Sequence, residues 1–137
     1  MDALLLARIF VCAFFAACLI QSGLDKVTDW KGNLDWLIGH FSKTLLRRQV
    51  PMMLGTVMLV ELAGGFGCLV SIFVLMLKGT MDIPIVAMSL VCLNFVMLFT
   101  GQRIAKDYAG AATLATYFLV ALFGLYLVGP HQLMNVF

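Results

Sequence analysis

Four runs of apolar residues, each long enough to cross a bilayer, take up most of this 137-residue chain. A helix needs roughly 20 consecutive apolar residues to span the hydrocarbon core. The runs cover residues 3–23, 51–77, 83–102 and 110–128. The first is interrupted only by Arg8 and the pair Gln21–Ser22, the second carries the single charge Glu61, and the last two carry none. Backbone in lipid must satisfy its own hydrogen bonds, so each run is expected to be a helix. Glycines within them fit that reading, being common in membrane helices. Composition closes the alternatives. The chain is 63% hydrophobic and 12% charged, against about 45–50% and 25% in soluble domains, and so small a soluble fold cannot bury that much apolar surface. A net charge of +2, thinly scattered, argues against a nucleic-acid partner.

The first run does not read as a cleaved signal. Such a signal opens with cations before a short apolar core. Here Asp2 comes first, Arg8 is the only early cation, and the run continues past the faint cleavage box Phe15-Ala16-Ala17-Cys18. A retained first helix is expected. Lysine and arginine then set the orientation. The connection 24–50 holds Lys26, Lys31, Lys43, Arg47 and Arg48, and the connection 102–110 holds Arg103 and Lys106. The other side has Lys78 and Arg8. Both richer connections are therefore expected in the cytoplasm, with both termini outside.

The long connection has a pattern of its own. Asn33 suits a helix cap, and Leu34, Leu37, Ile38, Phe41 and Leu45 follow at helical spacing. Trp30 and Trp36 suit the membrane boundary. A short amphipathic helix lying in the interface over 33–49 is expected; the alternative is a polar loop with incidental leucines. Pro51 then opens the second span, where its missing N–H costs nothing. Short connections elsewhere force antiparallel neighbours. The expected architecture is an all-α, single-domain, antiparallel four-helix membrane bundle with an interfacial helix between spans one and two.

Few chemistries are open to these residues. A membrane haem held by two histidines needs them inside the spans, whereas His40 and His131 stand at membrane edges. Cys12, Cys18, Cys68 and Cys92 form no C-x-x-C pair, so they read as small buried hydrophobes rather than metal or redox ligands. No phosphate loop, dinucleotide fingerprint or hydrolase elbow is present. No catalytic residue, metal site or covalent cofactor is expected.

Glu61 is the residue that most needs explaining. A charge in hydrocarbon costs on the order of 2.5–3.5 kcal/mol, and Glu61 lies ~15 Å along its helix, near the midplane. Ala63, Gly64, Gly65 and Gly67 follow it and allow another helix to approach closely. Asn94 lies ~16 Å along its own span by the same rise, at matching depth. Arg8, ~7 Å below the outer edge, has a side chain long enough to reach towards Glu61. In one reading Glu61, Arg8 and Asn94 only fix bundle register. In the other they form a niche for a polar ligand group such as a quinone head, or relay a proton.

Several short motifs resemble a known family. Arg8 in the first span, Gly23-Leu24-Asp25-Lys26 at its end, Glu61 with Gly64-Gly65, and Gly101-Gln102-Arg103-Ile104-Ala105-Lys106-Asp107-Tyr108-Ala109-Gly110 are together similar to the DoxX-like membrane proteins, in versions carried by Bacteroidota. The resemblance implies a four-helix protein of the bacterial inner membrane, with Arg8, Gly23, Lys26 and Glu61 at the family's recurrent positions. The family name comes from a subunit associated with thiosulfate:quinone oxidoreduction. On that footing a non-catalytic accessory subunit of a larger membrane complex is expected, with lipids and other membrane subunits as partners and a quinone or lipid as the ligand. A quinone-interacting oxidoreductase component stands second. A small-solute transporter or channel stands third, because no inverted repeat is visible.

Overall fold

The structure, a computed structural model, describes residues 1–130. His131 lies outside the described residues. Five helices follow one another: α1 (Ala3–Thr28), α2 (Trp30–His40), α3 (Val50–Leu77), α4 (Asp82–Ile104) and α5 (Tyr108–Val128). All but α2 are long and apolar enough to cross a membrane, the architecture of a multi-pass membrane protein.

Local chemistry sets the helix ends. The Asp2 carboxylate accepts from Leu5 N at 2.7 Å and caps α1. Asp107 does the same for α5 through Gly110 N at 3.0 Å. Pro51 occupies the first turn of α3, and Asp82 places a carboxylate in the first turn of α4, where the helix dipole favours it. α1 runs past Gly23 to Thr28 and stops at Asp29, whose side chain accepts from Gly32 N at 3.2 Å and opens α2.

The short helix differs from the sequence expectation at both ends. Asp29 caps it rather than Asn33, which lies within the helix and donates to Asp29 O at 2.8 Å. It ends at His40 instead of continuing to residue 49. The hydroxyls of Ser42 and Thr44 donate back to Gly39 O and Phe41 O, at 2.9 Å each. Such local bonds compete with the helical ladder, and the chain continues as turns to Gln49.

Packing runs α1 on α3, α3 on α4 and α4 on α5, with a smaller α1–α5 contact closing the ring. α1 and α3 approach closely at Gly65, where an added Cβ would come within 2.8 Å of Ile20 N. Gly64 faces Leu19, Leu90 and Val91 at ordinary contact distances. An aromatic ladder ties three helices together: Phe15 on α1 to Phe95 on α4 at 5.8 Å, and Phe95 to Tyr117 on α5, stacked at 5.6 Å. The core is apolar, with Phe15, Leu19, Leu54, Met88 and Phe95 buried, but polar residues also lie inside and the outer surface is apolar too. Glu61, Ser71 and Asn94 are buried, while Leu59, Phe66, Phe73, Leu77, Leu119 and Phe123 are exposed. Lipid tails are as apolar as leucine, so small and polar residues inside and large apolar ones outside are the membrane solution.

Candidate functional site

Glu61 is 2% exposed on α3. Its Oε2 lies 2.8 Å from Lys26 Nζ, and its Oε1 accepts from Ser22 Oγ at 3.1 Å. Lys26 also donates to Ser22 Oγ at 2.8 Å and to Ser22 O at 3.3 Å. Ser22 and Lys26 stand four apart and so share one face of α1. Between them Gly23 faces Leu62, the residue after Glu61. Ser22 passes one hydrogen bond onward: it accepts from the ammonium and donates to the carboxylate.

Arg8 takes no part in this cluster. It lies eighteen residues from Lys26 along α1, ~27 Å by helical rise, and its Nε donates to Leu127 O at 2.7 Å near the end of α5. The expected reach from Arg8 to Glu61 is therefore corrected to an ion pair with Lys26. The pairing is set by where Gly65 seats α1 on α3. The beginning of α3 runs beside α2, with Gly55 against Trp30, so Glu61 sits level with the last turns of α1.

Asn94 is fully buried on α4, with neither amide atom hydrogen-bonded. Gly64 packs on Val91, and one turn onward in each helix brings Glu61 and Asn94 to the same level. Buried amide groups without partners cost about 1–3 kcal/mol, so Asn94 is the strained member of this layer.

Directly above the layer lies a chamber of about 240 Å³. Lys26 lines it, as do Val57, one turn from Glu61, and Met97 and Leu98, one turn from Asn94. α2 roofs it with Asn33, Trp36 and His40, and Gln102 faces in from α4. His40 fastens the roof: its Nε2 meets Gln102 Oε1 at 2.7 Å and stands 4.0 Å from Asp107 Oδ2. Trp36 stacks on the His40 ring at 4.5 Å, and Phe41 meets that ring edge-on at 5.2 Å. The remaining walls are aliphatic or thioether. An enclosed apolar cavity of roughly 150 Å³ already accepts benzene, so the chamber has room for one substituted ring. It offers a cation at one side and amide and imidazole groups at another.

Sequence reasoning missed Ser22, His40 and Gln102. The i, i+4 pair Ser22–Lys26 was the available signal for the first. No local signal marks the contact between His40 and Gln102, which are 62 residues apart. The four cysteines are free; Cys12, Cys68 and Cys92 are buried and Cys18 is half-buried. Among the described residues no three His, Cys, Asp or Glu side chains are grouped to hold a metal.

No family model, curated protein or solved structure matches the chain.

Proposed function

We propose that the chain is a non-catalytic subunit of a bacterial inner-membrane assembly, lending it a niche for a lipid-soluble ring such as a quinone head. The chamber above the Lys26–Glu61 layer carries this reading. A quinone needs an apolar slot for its ring and hydrogen-bond donors for its carbonyl oxygens, and ligand pockets combine apolar walls with a few placed polar groups in this way. Asn33 and Gln102 bring amide groups to the walls, and Lys26, whose ammonium protons go to Glu61 and Ser22, brings its positive charge. The resemblance to DoxX-like proteins supports the quinone-linked setting. The electron donor is assigned to a partner subunit, since the groups at the chamber wall donate and accept hydrogen bonds.

Purification in a mild detergent, followed by solvent extraction and mass spectrometry, tests the reading. A quinone should copurify with the native chain along with at least one other membrane subunit. Lys26→Met/Glu61→Gln, which removes both charges of the pair, and Leu98→Trp, which fills the chamber, should each release the quinone while the fold persists. A chain that purifies alone with no bound quinone, or that keeps its quinone in both variants, overturns the proposal.

A further inference from the structure

A second cavity lies outside the chamber, at the same end of the bundle, between the 41–49 turns and the α4–α5 connection. It is a cleft of about 990 Å³ whose lining includes Lys43, Arg47, Arg48 and Lys106. These cations arrive from two segments separated by all of α3 and α4. Among the described residues none of the four forms an ion pair. Asp107, next in the chain to Lys106, caps α5 and stands beside His40, the one side chain the cleft shares with the chamber. Four cations lining one cleft set up a positive field that favours an anion among them.

The apolar part of the lining says which kind of anion. Leu45, 94% exposed, and Ile104, 38% exposed, share the cleft with the cations. A free phosphate leaves both in water, whereas a phospholipid places its phosphate on the cations and its acyl chains on the leucine and isoleucine. Position agrees, because this end of the bundle holds seven of the nine lysines and arginines, the end that faces an anionic leaflet under the positive-inside rule. The backbone fixes where Lys106 stands: its φ of 59° is the left-handed cap that ends α4, closed by Asp107 N donating to Gln102 O at 2.9 Å and Lys106 N to Arg103 O at 3.2 Å, as in a Schellman motif.

We infer that the cleft formed by Lys43, Arg47, Arg48 and Lys106 is a binding site for the phosphate headgroup of an anionic phospholipid. Cardiolipin, with two phosphates, matches the number of cations better than phosphatidylglycerol. The site does not depend on the chamber's ligand, and either proposal can fail without the other.

The test uses the full chain in nanodiscs of phosphatidylcholine alone or with added cardiolipin, reading retained lipid by native mass spectrometry and thermal unfolding in parallel. Cardiolipin should be retained selectively and should raise the unfolding temperature. Each cation lost should weaken that retention about fivefold, so R47Q/R48Q should drop it about 25-fold while R47K/R48K keeps it. K31Q/R103Q removes the same charge from the same end outside the cleft and should change little. K106G relaxes the backbone, so the fold should be unharmed while retention falls. Equal losses in R47Q/R48Q and K31Q/R103Q would overturn the site in favour of a diffuse positive surface. Inorganic phosphate that displaces cardiolipin and stabilises the chain equally would overturn the lipid assignment. Retention unaltered by K106G and R47Q/R48Q would overturn both.

Discussion

At the scale of single residues, the Lys26–Ser22–Glu61 cluster is the feature whose energetics can be separated. Each charge is tolerable inside the bundle only because of the other. Removing one partner of a buried pair strands the second and typically costs about 3–5 kcal/mol, whereas replacing both is often close to neutral. Lys26→Met alone should therefore lower stability by several kcal/mol, on the order of 3. Lys26→Met/Glu61→Gln should recover most of it. Unfolding in detergent micelles, arranged as a double-mutant cycle, checks this; additive losses would show that the two side chains do not depend on each other. Glu61 was legible in the sequence, because one carboxylate in a long apolar run has nowhere to go but inward. Its partner was not. Choosing between Arg8 and Lys26 requires knowing how far α1 slides along α3, and that offset is a property of two surfaces in contact. Asn94 was legible for the same reason as Glu61, but the lack of partners for its amide appears only in the folded packing.

At the scale of elements, the two adjacent glycines of α3 have unequal roles. A methyl group at Gly65 would meet the backbone of α1 at 2.8 Å, and backbone cannot step aside as a side chain can. At Gly64 the same methyl finds neighbours no nearer than 3.4 Å. Gly65→Ala should thus destabilise the bundle by about 1–3 kcal/mol, the usual result of overpacking, while Gly64→Ala should be nearly neutral. Thermal unfolding of the two variants side by side decides it, and equal shifts would refute the close-approach argument. The four spans themselves were readable with small errors at their ends, because a continuous apolar run leaves the backbone no option but helix. The element between the first two was harder. Its apolar spacing continues beyond residue 40, yet hydroxyl-to-carbonyl bonds from Ser42 and Thr44 stop the helix. Periodicity records which residues could share a face and says nothing of side chains that compete for the same carbonyls.

At the scale of the whole molecule, charge and architecture make one joint prediction about sidedness. Seven of nine cations lie at the end carrying α2 and the α4–α5 connection, so that end should face the cytoplasm. The four native thiols all lie within spans, which leaves an impermeant maleimide free to report on introduced ones. Thr80→Cys should label in intact cells and Ser42→Cys only after permeabilisation. The reverse pattern would invert the orientation, and labelling of both in intact cells would break the four-span topology. Overall architecture was the most readable level and the chamber the least, since its walls come from all five helices.

The closure between first and last spans also dictates how this molecule comes apart. α1 touches α5 across a narrow strip, where Arg8 holds the carbonyl of Leu127 and Phe14 lies against Tyr117. The mating of α1 with α3 is far broader. Warming should therefore unzip the circle at that strip first, with the last span swinging free while the opening hairpin of the chain stays intact.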